Sequence, residues 1–194
     1  MANPNTRERI LEVTAELFRR YGYNGSGLKQ IVGNANATFG SVYHFFPGGK
    51  EQLGVEVVRR SGQMYLELAE TILDGAPDVA TGVRDFFLGA AEVLRQTDYI
   101  DACPIETVAL EVASCNEPLR QATADVFESW VSGVGERFSA AGIGAYKARE
   151  LAIVVIAALE GAFVLSRAAR TTEAVEAAGS FAAAVVQASL DEGG

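Results

Sequence analysis

The 194 residues suffice for one globular domain or two small ones, and the formal net charge of −9 argues at first sight against a nucleic-acid partner. A single histidine largely excludes metal or triad chemistry built on histidine, and the chain has no HExxH, P-loop or GxSxG spacing. The longest apolar run, Leu151–Leu159, is shorter than the roughly 20 residues that a bilayer needs, and the polar start lacks a signal core. We therefore expect a cytoplasmic, non-enzymatic protein without cofactor, metal or membrane contact.

The average charge hides a difference between the two ends of the chain. The first 60 residues hold eight lysines and arginines against five glutamates, a net charge of +3, so the remaining residues carry −12. A basic head on an acidic body would attract phosphate at one end and repel it elsewhere. An ordinary solvated mixture of charges is the alternative, and charge alone does not decide between the two.

The predicted elements begin with a helix that Thr6 can cap and that ends before Gly22 and the Gly25–Gly27 cluster. The next segment, Gly27–Leu53, packs two short helical patterns around a turn. Asn34, Ala35 and Asn36 include residues that tolerate a left-handed backbone. This arrangement is how a DNA-reading helix-turn-helix is built. The residues predicted to anchor its two helices are Leu28, Ile31, Val32, Val42 and Phe46.

The second short helix leaves a polar set facing outward, with groups that can bond to base edges or phosphate oxygens in a major groove. This set is Thr38, Ser41, Tyr43 and His44. Apolar spacing then predicts a long strut helix over Gly49–Leu73 and another amphipathic helix starting near Val79. Pro104 and Pro118 can each open a helix at its first turn, and two helices follow at roughly 145–170 and 172–190. No alternating strand pattern or internal repeat occurs, so the predicted fold class is all-α.

Several short motifs occur in these elements: Ala15-Glu16-Leu17-Phe18, Gly22-Tyr23, Gly40-Ser41-Val42-Tyr43, Phe46-Pro47-Gly48-Gly49-Lys50-Glu51-Gln52-Leu53, Cys103-Pro104-Ile105 and Ala109-Leu110-Glu111. Together they resemble the TetR-type transcriptional regulators. The resemblance covers most of the chain and is strongest over Thr6–Leu53. The stretches Phe46–Leu53 and Cys103–Glu111 resemble the LmrA/YxaF-like subgroup.

The resemblance implies a helix-turn-helix DNA-binding domain at residues 4–64 and a ligand-binding and dimerisation domain at 65–194. It implies a homodimer formed by the last two helices, heads that grip a palindromic operator on double-stranded DNA, and a small-molecule effector that releases it. It further implies base reading at Phe39, Gly40 and Ser41. The residues that it places at phosphates are Lys29, Thr38, Tyr43, His44 and Lys50.

Alternatives stay open at several of these positions. Phe39 could pack on Val42 and belong to the core, or press on a thymine methyl group. His44 could contact a phosphate or be an ordinary surface residue. Cys103 and Cys115 are expected to be reduced, with a redox role as the less favoured alternative. The apolar helix around 151–165 could be buried within one subunit instead of forming a dimer.

The predicted effector site rests on bulky aromatic surface in the C-terminal helices, for which burial in the core is the alternative. The residues assigned to it are Phe86, Phe87, Glu106, Phe127, Trp130 and Phe163. Glu111 and Glu160 could also receive a ligand, or instead cap a helix, pair with an arginine or face solvent. Two rival functions remain: a helical protein-interaction module, which leaves the basic helix-turn-helix unexplained, and an enzyme, for which nothing sets a nucleophile beside a base.

Overall fold

The computed structural model describes residues 5–193, and this part of the chain forms nine α-helices and no strand. The all-α class predicted from the sequence is confirmed. In chain order the helices are α1 Thr6–Tyr21, α2 Leu28–Asn34, α3 Phe39–Phe45, α4 Gly49–Gly75, α5 Val79–Gln96, α6 Pro104–Val112, α7 Glu117–Ala140, α8 Ala145–Ala169 and α9 Glu173–Gly193.

The described residues divide into two compact units. The first unit comprises residues 5–63 and 103–126, and the second comprises residues 64–102 and 127–193. Helix α6 and the start of α7 therefore group with the N-terminal helices, although residues 64–102 of the second unit separate them in sequence. The functional boundary between residues 64 and 65 stays a prediction.

The start of α1 corrects one prediction. Asn5, rather than Thr6, is the cap: its Oδ1 accepts a hydrogen bond from the Glu8 backbone N–H at 3.0 Å, and Thr6 is the first helical residue. The side-chain amide of asparagine satisfies a backbone donor that the helix leaves without a partner. The end of α1 is as predicted, since Gly22 is its C-terminal cap.

Pro104 and Pro118 lie at different positions in the first turns of their helices. Pro104 lies in the first turn of α6, as predicted. Pro118 is the second residue of α7, which begins at Glu117. Asn116 precedes that helix, and its Oδ1 accepts from the Leu119 N–H at 2.9 Å. The sequence signal for this start is therefore the asparagine as well as the proline.

The interior of the first unit joins its N-terminal helices to α6. Helix α1 packs against α2, α3 and α6. Val42 and Phe46, predicted to anchor α3, are completely buried. The other large side chains that are fully buried in this unit are Ile10, Leu11, Phe18, Ile31, Leu53, Ile105 and Leu119.

The second unit is built around α5, α8 and α9, with α9 packed against both of the others. Gly179 permits the close approach of α9 to α5, because a Cβ at this position would lie 2.5 Å from the Phe87 Cβ. Phe87 and Phe138 are completely or almost completely buried in this core. Its other large buried members are Leu73, Val83, Leu94, Val131, Val134, Ile143, Leu151, Val155, Leu159, Val175 and Val186.

Helix α8 has two different apolar faces. One face, with Leu151, Val155 and Leu159, lies in the core of the second unit, while Ile153 and Val154 belong to a face exposed to solvent. By length and composition alone α8 could cross a bilayer: its most apolar window has a mean hydropathy of 2.0 and is 33% buried. An apolar surface of this kind is typical of an interaction site.

Candidate DNA interface

The turn between α2 and α3 has the geometry that the sequence predicts. Asn36 adopts a left-handed backbone with φ of 46°, a conformation that asparagine tolerates better than most residues. The Ala37 N–H donates to the Val32 carbonyl at 2.9 Å and the Asn36 N–H donates to the Gly33 carbonyl at 3.3 Å. These bonds fix the direction in which α3 leaves the turn.

The start of α3 is held by its own hydroxyl groups. Thr38 is the cap, and its Oγ1 accepts from the Ser41 N–H at 3.1 Å. The Thr38 and Ser41 hydroxyl oxygens are also 3.0 Å apart and share a hydrogen bond. That bond uses one of the two hydroxyl hydrogens, so the other can be donated to a phosphate or a base. The two side chains thus rigidify the first turn and still present a donor.

The outward surface of α3 combines aromatic and small residues. Phe39 is 49% exposed and Tyr43 is 52% exposed, and they lie one turn apart on the same helix. Phe39 is therefore not a core residue of this chain, which removes one of its two predicted roles. His44 and Gly40 are also exposed, and a Cβ added at Gly40 would meet only the Thr38 Oγ1, at 3.6 Å. The fold itself does not require a glycine there.

Arginine–carboxylate pairs link α1 to α4 in the same unit. Arg7 pairs with Glu56, and Arg60 pairs with Glu8. The hydrogen bond from Arg60 lowers the pKa of the Glu8 carboxyl below its ordinary value. Because these arginines pair with carboxylates of the same unit, they brace α1 against α4, and the net charge of the segment already counts their partners.

The two lysines predicted at phosphates have different surroundings. Lys29 on α2 is exposed. Lys50, at the start of α4, is partly buried: its Nζ donates to the Tyr23 carbonyl at 2.6 Å and lies 4.2 Å from the centroid of the Tyr23 ring. Burial lowers the pKa of the Lys50 ammonium. The ammonium has three N–H donors and the Tyr23 carbonyl takes one of them, so a phosphate contact would use another. The phosphate role of Lys50 stays a prediction.

The residues predicted to bind an effector have different surroundings within their own units. Phe127 and Trp130 meet edge to face with ring centroids 5.5 Å apart, and Tyr65, which the sequence analysis did not single out, lies 6.4 Å from Trp130. Phe87 is buried in the core of the second unit, and Phe86 and Phe163 pack against that core. Glu106 lies on α6 in the first unit.

The structure also contains an open groove and two free cysteines, and none of the predicted effector residues belongs to either feature. The groove is open and lies at the α8–α9 corner, where its lining residues are Thr171, Thr172, Glu173, Glu176, Ala177 and Ser180. Cys103 is buried and Cys115 is exposed, and both are free thiols. In the described part of the chain no group of three or more histidine, cysteine, aspartate or glutamate residues is placed to hold a metal ion.

Two protein-family models match the chain. The model described as "Bacterial regulatory proteins, tetR family" matches residues 10–57, which include most of α1, all of α2 and α3, and the start of α4. The model described as "Transcriptional regulator LmrA/YxaF-like, C-terminal domain" matches residues 79–181, from the start of α5 into α9.

Individual relatives agree with these matches. The HTH-type transcriptional regulator LmrA of Bacillus subtilis (strain 168) is 33% identical over 172 residues, which cover 89% of this chain and 92% of that protein. The HTH-type transcriptional repressor DhaR of Mycobacterium sp. (strain GP1) is 24% identical over 132 residues, 68% of this chain and 64% of that protein. The crystal structure of regulatory protein TetR from Rhodobacter sphaeroides has a TM-score of 0.83 at 18% identity, covering 93% of this chain and 98% of that one, which is a likeness of fold.

Proposed function

Because the chain belongs to the TetR family of bacterial transcriptional regulators, with an LmrA/YxaF-like C-terminal domain, we propose that it is a repressor that binds a palindromic operator as a homodimer and is released by a small molecule. The observation that carries the proposal is α3, a capped helix that presents its outer residues to solvent. A helix of this kind fits the major groove of B-form DNA.

The contacts proposed for this helix follow from the chemistry of each side chain. Hydroxyl groups bond phosphate oxygens without a charge, a lysine attracts the backbone as a point charge, and a glycine allows close approach to the groove. Phe39 has no group for hydrogen bonding, so a thymine methyl is the partner that suits it. The residues proposed to contact DNA are Lys29, Thr38, Phe39, Gly40, Ser41, Tyr43, His44 and Lys50.

A homodimer accounts for the apolar surface that the single chain leaves exposed. On α8 this surface continues from Ile153 and Val154 to Val164 and Leu165, and on α9 Phe181 is 69% exposed. The opposite face of α8 packs in the protein core. A second copy of α8 and α9 supplies an apolar partner of the same kind, and a symmetric pair places two copies of α3 for two half-sites.

The effector is proposed to bind in the second unit, near an aromatic cluster in which Trp130 is buried and Phe127 and Tyr65 are partly buried. Phe127, Trp130 and Tyr65 offer ring faces and edges that suit an apolar or aromatic small molecule. Repression agrees with the name of the DhaR relative, a transcriptional repressor. A regulator that binds bacterial DNA would act in the cytoplasm, which is the proposed location. The relatives described above are all regulators, and no observation favours an enzyme or a protein-interaction module.

Selection of duplexes from a random library by the purified chain tests this proposal. We expect enrichment of a palindrome, and an affinity for it that falls steeply between 50 and 200 mM salt, since phosphate contacts release counterions. Sedimentation at micromolar concentration should give a dimer. A purified, folded chain that enriches no sequence, or that binds DNA with no dependence on salt, would contradict the proposal.

A further inference from the structure

A glutamate near the end of α6 holds the loop that follows α1. The Oε2 of Glu111 accepts a hydrogen bond from the Asn24 backbone N–H at 2.8 Å, across 87 positions of sequence. Both residues belong to the first unit. A carboxylate in the last turn of a helix is opposed by the helix dipole, so the stability of α6 alone does not favour a glutamate there. The hydrogen bond to the loop is a favourable interaction that can offset this unfavourable position of Glu111.

Gly22 makes room for this carboxylate. A Cβ on Gly22 would lie 2.1 Å from the Glu111 Oε1, which is far closer than atoms can approach without displacement. Gly22 also has a φ of 69°, in the region that favours glycine. The carboxylate therefore lies directly against the loop backbone, and the positive φ of Gly22 favours a glycine at this position independently of the carboxylate.

Lys50 holds the same loop from α4. Its ammonium bonds to the Tyr23 carbonyl and lies over the Tyr23 ring, so the residue between Gly22 and Asn24 is also fixed. Burial lowers the Lys50 pKa, and the negative charge of Glu111 acts in the opposite direction by favouring the ammonium. The three consecutive loop residues thus lie between a carboxylate from α6 and an ammonium from α4.

A second contact attaches the α6–α7 corner to α4. The Asn116 Nδ2 donates to the Glu51 Oε2 at 2.8 Å, while the Asn116 Oδ1 caps α7. Glu51 follows Lys50 in the first turn of α4. Glu111 at the end of α6 therefore holds the loop after α1, and Asn116 in the α6–α7 corner holds the first turn of α4.

We infer that Glu111 is a positioning residue for operator binding: its carboxylate, together with Lys50, fixes the loop Gly22–Asn24 and through it the orientation of α1, α2 and α3 on α6. The inference rests on the proposed function, since orientation matters only if two heads read one duplex. Base reading stays with α3, and Glu111 sets how rigidly each head is held. Lys50 holds the loop in addition to its proposed phosphate contact.

Half-site spacing tests this inference, because spacing depends on how the heads are held, whereas half-site sequence depends on α3. Duplex selection is carried out with wild type, Glu111→Ala and Glu111→Gln, using libraries in which the spacing varies. We expect Glu111→Ala to keep the half-site sequence, to accept spacings that wild type rejects, and to lose about fivefold to tenfold in operator affinity, as for a modest coupling between sites. Glu111→Gln retains an acceptor for Asn24 and should keep the spacing preference with a smaller loss.

Matched measurements separate the inference from simpler explanations. Glu117→Ala removes another glutamate of the first unit, one that pairs with Arg120 in its own helix, and should leave spacing and affinity unchanged. Hydrogen exchange at the Asn24 amide of the free protein should accelerate in Glu111→Ala. Wild-type spacing and affinity in both Glu111 variants, or a changed half-site sequence, would overturn the inference. A wild-type chain that selects no duplex would instead overturn the proposed function, whatever the exchange result.

Discussion

Helices α3 and α8 both present side chains that the single chain does not cover, yet the two surfaces differ in chemistry. The α3 surface combines hydroxyl groups, a histidine, an open glycine and two aromatic rings. The α8 surface consists of branched aliphatic residues with small residues between them. Exposure alone does not identify a partner, but hydrogen-bonding groups suit DNA and aliphatic groups suit only an apolar partner. The comparison predicts that substitutions on α8 disrupt the dimer, whereas substitutions on α3 change the affinity for DNA directly.

The largest effect is expected from a charge on the α8 surface. Leu165 is 63% exposed, so Glu fits the single chain, but in a symmetric dimer Leu165→Glu places two charges in an apolar interface. We expect a monomer by sedimentation and a loss in operator affinity of about 100-fold or more, because linking two heads multiplies affinity by about 10²–10⁴. Leu88→Glu on α5, where Leu88 is 49% exposed, is the control and should remain dimeric. A dimeric Leu165→Glu would contradict the proposed interface.

A methyl group on the α3 surface should have the next largest effect. Gly40→Ala is accepted by the fold, and Gly33→Ala on α2 is its matched control, since nothing lies within 4 Å of a Cβ there. Both variants should gain about 0.4–1 kcal/mol in the free energy of unfolding, because alanine restricts the unfolded chain. Only Gly40→Ala should lose operator affinity, by about tenfold, equivalent to about 1.4 kcal/mol, if α3 approaches the bases closely. Equal affinities for the two variants would show that Gly40 is not at the groove.

Lys29 provides a smaller and purely electrostatic test. Lys29→Ala should weaken binding to all duplexes by about fivefold and reduce the slope of log affinity against log salt by about 1, as for the loss of one phosphate contact. Lys147→Ala on α8 removes a lysine of the second unit and should change neither quantity. A wild-type slope in Lys29→Ala would remove Lys29 from the proposed contacts.

The α2–α3 turn and the anchors of α3 were more predictable from the sequence than the contacts that hold the loop after α1. The left-handed turn at Asn36 and the anchors Val42 and Phe46 follow from local pattern, because a turn and a helical face depend on neighbouring residues. The surroundings of Lys50 and Glu111 depend on contacts between distant parts of the chain, which periodicity does not report. Asn5 was missed for a simpler reason, since Thr6 beside it is an equally acceptable cap type.

The α8 surface was foreseen only in part. The sequence predicts that the helix around 151–165 needs partners on more than one side, and α8 has one buried and one exposed apolar face. The division between the two faces depends on where α9 and α5 pack. Likewise, each aromatic residue of the predicted effector site had the core as an alternative, and Phe87 lies in the core while Phe127 and Trp130 form a separate pair.

The smallest effect concerns Phe39, the one residue of the α3 surface that resembles the α8 surface in chemistry. If its exposed ring contacts a thymine methyl, replacing thymine by uracil at one operator position should weaken wild-type binding by about fourfold, since burial of one methyl contributes about 0.8 kcal/mol. The Phe39→Ala variant should bind the thymine and uracil duplexes equally. Tyr43→Ala removes the neighbouring exposed ring and should still distinguish them. If Phe39→Ala retains the full preference for thymine, another residue contacts the methyl group. The proposed contact between Phe39 and thymine would then be wrong.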